Sequence, residues 1–163
     1  MGPVVETRHG RIEGMTRDGV EAFLGIRYAR APVGELRFRG PRPPEPWIGV
    51  RPAQDFGPVA PQLPPTLRTL LPKAHLPANE DCLSLNVWTP RSDTGRRPVM
   101  VWLHGGGLLS GSGADPVSNA ETLARRGDVV VVTLNYRLGL LGFFYHPKLR
   151  DDESGACGNW GLL

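Results

Sequence analysis

The sequence predicts an α/β fold, and three features carry that prediction. Val99 to Leu103 is a short apolar run that passes straight into His104-Gly105-Gly106-Gly107, Val129 to Leu134 is a β-branched run typical of a strand buried on both faces, and a helical segment lies between them. Strand, helix, strand in that order implies a parallel pair joined by a right-handed crossover. Ligands of such sheets sit beyond the carboxyl ends of the strands, which is where His104 to Gly107 fall.

Over residues 1–40, alternating apolar residues and tight glycine turns predict a small antiparallel start of three short strands: Val4-Val5, Gly10 to Gly14 and Val20 to Leu24. Residues 41–80 read as a long surface loop. Eleven prolines between Pro41 and Pro77 block regular ladders there, and Trp47, Phe56 and several leucines are the candidates for pinning it down. From residue 81 to 163 the character turns to α/β. Leu83 to Trp88 alternates as a half-buried strand, and Val99 to Leu103 follows as an apolar strand expected to be buried. In the intervening helix, Ser118 and Glu121 read as a capping box, and Leu123 and Ala124 as its apolar stripe. Arg125 and Arg126 complement the negative end of the dipole, and Gly127 is the stop.

Composition narrows the function classes. The 163 residues are 40% hydrophobic and 21% charged, the balance of a globular domain or a piece of one. No apolar run is long enough to span a bilayer, so no membrane partner is expected. The opening Met-Gly-Pro-Val-Val-Glu-Thr-Arg lacks the plan of a signal peptide, which makes a cytoplasmic location the expectation. The formal charge of +3 comes from arginines scattered among acids, not from a basic patch, and nucleic acid is not expected as a partner. Cys82 and Cys157 show no metal spacing and are too few for a disulfide framework, so both read as free thiols and no metal is expected.

The glycine triplet is the feature that points to chemistry. Successive glycines after a strand let the backbone approach a ligand with no side chain in the way, so their N–H groups can point at a developing oxyanion. A phosphate cradle would need Gly-Lys-Ser/Thr, but Leu108-Leu109-Ser110 follows. A dinucleotide loop fails as well, because Gly111-Ser112-Gly113 runs into Ala114-Asp115-Pro116. An isolated triplet would also serve as a plain structural turn. None of the six serines sits in a Gly-x-Ser-x-Gly nucleophile elbow.

Three longer stretches resemble the type B carboxylesterase family, which includes cholinesterases and bacterial para-nitrobenzyl esterases: Glu80-Asp81-Cys82-Leu83-Ser84-Leu85-Asn86-Val87-Trp88, Val101 to Gly107, and Val132-Thr133-Leu134-Asn135-Tyr136-Arg137-Leu138-Gly139. Phe23 to Ile26, Ala31 to Phe38, Trp47 to Val50 and Gly158 to Leu163 agree in the same order, so the resemblance covers essentially the whole chain. It implies the N-terminal part of an α/β-hydrolase fold: strands of a mostly parallel sheet, an oxyanion loop and a crossover helix, forming an incomplete piece of one domain. The implied activity is hydrolysis of small-molecule carboxylic esters through a serine acyl-enzyme, with no metal or organic cofactor. The family's serine elbow, acid and histidine all fall beyond the point matching Leu163, so the chain by itself is expected to be inactive.

Residue by residue, the backbone N–H groups of Gly106 and Gly107 resemble two oxyanion-hole donors, and Gly105 the turn that permits them. His9, His75, His104 and His146 lie in the wrong region for the base, and His104 is expected to order the glycine loop. Arg37 resembles an arginine that pairs with the glutamate matching Glu80, and Arg137 one whose acidic partner would follow Leu163. Leu108 stands where the family usually has phenylalanine, at the wall of the substrate site. Arg27 replaces a usual proline. Cys82 matches a cysteine that secreted relatives pair across the long loop, yet no upstream cysteine exists here, which favours a reducing compartment. The alternative to a fragment of an esterase is a catalytically silent binding protein derived from one. The apolar ending Gly161-Leu162-Leu163, which opens a helix in the family, favours the fragment.

Overall fold

The computed structural model describes residues 2–63 and 72–163 and forms two sheets. The larger has the order β3-β4-β6-β8-β7, built from β3 (Met15–Arg17), β4 (Val20–Arg27), β6 (Ser84–Thr89), β7 (Val99–Leu103) and β8 (Val130–Leu134). The smaller has the order β1-β2-β5, from β1 (Val4–Thr7), β2 (Gly10–Glu13) and β5 (Val50–Pro52). The parallel pair that the sequence predicts is β7 with β8, in register from Val99 opposite Val130 to Leu103 opposite Leu134. The pairings β3–β4, β4–β6 and β6–β8 are antiparallel, so this part of the sheet is mixed.

The N-terminal strands do not stay together as one antiparallel unit. The chain leaves the small sheet at Gly14 and enters the large one, at a point where a Cβ would lie 2.5 Å from the Ala22 carbonyl oxygen. Only glycine fits that crossing. The proline-rich stretch, of which 64–71 (with Pro64, Pro65 and three of the leucines) lie outside the described residues, is not wholly irregular either. Its Val50–Pro52 segment pairs in parallel with Arg11 to Glu13. Trp47 sets that register: its indole N–H donates to the Arg11 carbonyl at 3.0 Å, and the Arg51 guanidinium lies 4.3 Å over its ring. Phe56 packs by Trp88, with ring centroids 6.4 Å apart, whereas Leu63 is exposed.

The main core joins Val20, Ala22 and Leu24 of β4 to Trp88, Val131 and Ala124. Phe23 points the other way and packs with Ile12 and Ala53 between the sheets. Burial on β8 alternates, with Val131 and Thr133 buried and the residues between them half-buried, so the strand is not covered on both faces as its composition predicts. The cause is that α1 (Glu121–Gly127) covers one face only. The expectation of a buried β7 also fails. All five residues are exposed, Trp102 at 46% and Val99 at 62%, because β7 is the edge strand among the described residues and no core cluster packs against either of its faces.

Two signals in α1 are misplaced. Ser118 and Glu121 do not form a capping box. Pro116–Ser118 closes a 3₁₀ turn that buries the Ser118 hydroxyl without a partner among the described residues, and the Asn119 carboxamide accepts from the Glu121 N–H at 3.0 Å instead. The left-handed position that ends the helix belongs to Asp128, with φ of 47°, not to Gly127. Aspartate tolerates that backbone region, and here its carboxylate accepts from Arg97 Nε at 2.8 Å, which ties the helix end to the entry of β7. Ala124 is fully buried, but Leu123 is exposed, so the apolar stripe is narrower than expected. A second short helix, α2 (Gly139–Phe143), follows β8. Among the described residues no helix is long and apolar enough to cross a membrane.

Candidate active site

The glycine loop begins where β7 ends, at the carboxyl end of the parallel pair. His104 is buried at 6% exposure, and its Nδ1 lies 2.9 Å from the Gly105 carbonyl oxygen. A carbonyl only accepts, so the ring proton is on Nδ1. Burial pushes the imidazole's pKa below its ordinary value, favouring the neutral ring. Nε2 is buried with no partner among the described residues.

Beyond His104 the chain reverses. The Gly106 carbonyl accepts from the amides of Leu109 and Ser110, both at 3.2 Å. The unusual backbone lies at Gly106 (φ 128°), Gly107 (φ 63°) and Leu108 (φ 62°), whereas Gly105 has no positive φ and a Cβ there would meet nothing within 4 Å. The turn that the resemblance places at Gly105 therefore sits one to three residues later. A Cβ on Gly106 would fall 1.9 Å from the Ser110 carbonyl oxygen, so that position admits glycine only. Gly106 and Gly107 are exposed, and neither amide donates to a protein oxygen among the described residues. Leu108 is 42% exposed, and its carbonyl accepts from Gly139 N at the start of α2 at 2.8 Å. A cleft of about 870 Å³ opens beside Gly106, lined among the described residues chiefly by apolar groups including Leu63, Leu76, Leu109, Leu138 and Leu140.

Residues that sequence reasoning left without roles hold this loop. The Tyr136 hydroxyl donates to the His104 carbonyl at 2.7 Å. Asn135 Oδ1 accepts from Gly113 N at 2.9 Å, and Thr133 Oγ1 donates to the Gly113 carbonyl at 2.6 Å. Asn86 Nδ2 donates to Thr133 Oγ1 at 3.0 Å, and its Oδ1 accepts from Gly25 N at 3.0 Å. Asn86 and Thr133 are polar residues within otherwise apolar strands, which is a signal the sequence carries, and Asn135 directly follows β8. Gln62 and Lys73 gave none. The Gln62 carboxamide bonds both backbone groups of Gly111, and Lys73 Nζ lies 2.9 Å from Asp115 Oδ2.

The remaining site residues lie apart from the loop. Arg37 and Glu80 form a bidentate pair, Nε to Oε2 and Nη2 to Oε1, each at 2.6 Å. They line a narrow cleft with Cys82, Leu138 and Arg137. Arg137 is buried at 4% exposure. Its Nε donates to the Trp160 carbonyl at 3.1 Å, its Nη1 has no partner among the described residues, and burial lowers its pKa. His146 stacks near Phe144 and accepts from Lys148 N at 3.2 Å, away from the glycine loop. Among the described residues no three His, Cys, Asp or Glu side chains are grouped to hold a metal.

A mixed sheet with a glycine loop at the carboxyl end of its parallel pair is the beginning of an α/β-hydrolase fold, and the chain belongs to the carboxylesterase family, whose model matches residues 1–163. It is 50% identical over 143 residues to phenmedipham hydrolase of Pseudarthrobacter oxydans, covering 86% of this chain and 29% of that protein. To para-nitrobenzyl esterase of Bacillus subtilis it is 42% identical over 161 residues, covering 98% and 32%. A solved para-nitrobenzyl esterase structure superposes with a TM-score of 0.88 at 42% identity, over 99% of this chain and 33% of that one. A Geobacillus stearothermophilus carboxylesterase does so at 0.83 and 45%, over 97% and 31%. The chain thus spans about 30% of the length of the curated relatives it matches.

Proposed function

We propose that this chain is the N-terminal part of a serine carboxylesterase and supplies the oxyanion-binding loop of its active site, with Gly106 and Gly107 N–H as donors. The observation that carries this reading is the pair of exposed amides on a turn at the carboxyl end of β7 whose Gly106 position admits glycine only, left without protein acceptors among the described residues. Preorganised donors of that kind stabilise the negative charge that develops on the carbonyl oxygen during attack, each by about 2.7–4 kcal/mol.

In the mechanism this implies, a serine outside the 163 residues attacks the ester carbonyl, the alcohol leaves, and water hydrolyses the acyl-enzyme. This chain's share is electrostatic: the loop holds the oxyanion, and the apolar cleft beside Gly106 receives the hydrocarbon part of a small ester. His104 has an ordering role, because its Nδ1 proton is engaged by Gly105 and its ring is neutral and buried.

The test is to sequence the gene through and beyond the codon for Leu163 and to assay its full product with para-nitrophenyl esters. The reading expects a Gly-x-Ser-x-Gly elbow about thirty codons on, with hydrolysis by the full product and none by the 163-residue chain. A stop after Leu163 together with no hydrolysis would favour the non-catalytic binding protein.

A further inference from the structure

We infer that Gln62 is a positioning residue for the oxyanion loop: its carboxamide clamps Gly111 and thereby keeps the Gly106 and Gly107 amides aimed at the reacting carbonyl. This rests on the oxyanion role proposed above. Gln62 Oε1 accepts from Gly111 N at 2.8 Å, and Nε2 donates to the Gly111 carbonyl at 3.0 Å, so one side chain satisfies both backbone groups as a neighbouring strand would. Nε2 also donates to the Ala60 carbonyl at 3.1 Å, which fixes the amide's orientation.

Gly111 is where the loop closes on itself. With φ of 111°, its backbone is pressed so near the start of the loop that a Cβ would lie 2.3 Å from the Gly105 carbonyl oxygen and 2.4 Å from His104 Nδ1. The preceding Ser110 donates its N–H to the Gly106 carbonyl, and its own carbonyl stands against the Gly106 Cα. Holding Gly111 therefore holds Ser110, and Ser110 fixes the peptide plane that follows Gly106, the one that carries the Gly107 N–H. The clamp comes from the proline-rich stretch, far from the loop in sequence. The same stretch is fastened again by Lys73 and the Ala74 amide on Asp115, four residues past Gly111. Gln62 itself donates nothing to the substrate in this scheme.

The experiment uses the full gene product with Gln62→Ala and Gln62→Glu, measuring kcat, KM, thermal midpoint and the inhibition constant of a trifluoromethyl ketone, which forms a tetrahedral adduct at the serine. Gln62→Ala is expected to lower kcat roughly 10- to 100-fold with KM within about twofold, and to weaken the ketone by a matching factor, since small misalignment of preorganised donors costs on that order. Gln62→Glu keeps the acceptor for Gly111 N–H but loses the donor to the Gly111 and Ala60 carbonyls, and its kcat is expected to fall between those of wild type and Gln62→Ala. An active wild-type enzyme whose Gln62 variants keep its kcat and ketone affinity overturns the inference and leaves the oxyanion reading standing. Equal loss of kcat and thermal stability with unchanged ketone affinity overturns it too. A full product with no ester hydrolysis overturns the reading and the inference together.

Discussion

The ring of His104 lies flat against that of Tyr136, with centroids 4.4 Å apart and planes 15° from parallel, while the Tyr136 hydroxyl donates back to the His104 carbonyl at 2.7 Å. One residue just past β8 thus grips both the side chain and the backbone of the residue that follows β7. Because β7 and β8 are parallel neighbours, their ends arrive side by side and the two residues meet without any long excursion. Tyr136→Phe keeps the stack and removes the hydrogen bond to a buried carbonyl. The expected cost is about 1–3 kcal/mol of stability, read as a fall in the urea midpoint of the full product.

The loop separates two glycines that look alike in sequence. Gly106→Ala is expected to abolish most turnover, on the order of 10²–10³ in kcat, because the Cβ displaces Ser110 and turns the amides away. Gly105→Ala places its Cβ in open space at an ordinary φ, and is expected to stay within a few-fold of wild type. Ester hydrolysis by the two variants side by side decides this, and equal losses would mean that the turn does not govern the donors.

His104 gives the fold a pH dependence of known sign. Burial lowers its folded pKa below the unfolded value of about 6.5, so the unfolded chain binds the extra proton more readily. The stabilisation is complete above about pH 6.5 and is lost as pH falls through the folded pKa. Asp93, beside Arg97, and Asp151, bonded by Ser154, are held below the carboxylate range, so their contributions fade only at lower pH. His104→Gln is expected to flatten the acid limb of the urea midpoint just below about pH 6.5 while leaving the limb below pH 4 in place.

The two thiols differ sharply in reactivity. Cys82 is fully buried, and its pKa is pushed up to about 12 by desolvation, whereas Cys157 is half-buried. The thiolate is the reactive form, so a native protein titrated with a thiol reagent at pH 8 is expected to modify Cys157 and spare Cys82. Unfolding without reductant should release Cys82 as well. Failure to find it free would contradict the reading of Cys82 as a free thiol and the reducing compartment expected from it.

Arg37 and Glu80 are paired bidentately but at the surface. Arg37→Lys retains the charge and loses the fork geometry. Its small drop in thermal midpoint should shrink further in 1 M NaCl, where exposed charges are screened. A salt-independent loss would instead point to packing in the cleft shared with Cys82 and Arg137.

The strands that carry strong local patterns were legible: Gly10 to Glu13, Ser84 to Thr89, the β7–β8 pair and the helix between them all fall within a few residues of where periodicity puts them. The three-residue strands Met15–Arg17 and Val50–Pro52 were not legible, because they are too short to show alternation and exist through their partners β4 and β2. Ser118 illustrates the same limit in the other direction. The capping-box spacing is present, but Pro116 starts a 3₁₀ turn, the N-cap is Ala120, and the Asn119 carboxamide takes the Glu121 N–H in place of Ser118.

By itself the sequence determined the α/β class, the family, the glycine loop at a strand end and the pairing partners Arg37 and Glu80, since each rests on residues close in the chain or on motifs in fixed order. Tertiary structure alone decided which loop amides lack an acceptor among the described residues, that the turn sits at Gly106 to Leu108, and that Gln62, Tyr136 and Asn135 hold the loop from 49, 32 and 22 residues away. The physical reason is that a carboxamide or hydroxyl carries no local pattern of its own. It acquires a role only when the sheet brings an unsatisfied backbone group to within hydrogen-bonding distance of it.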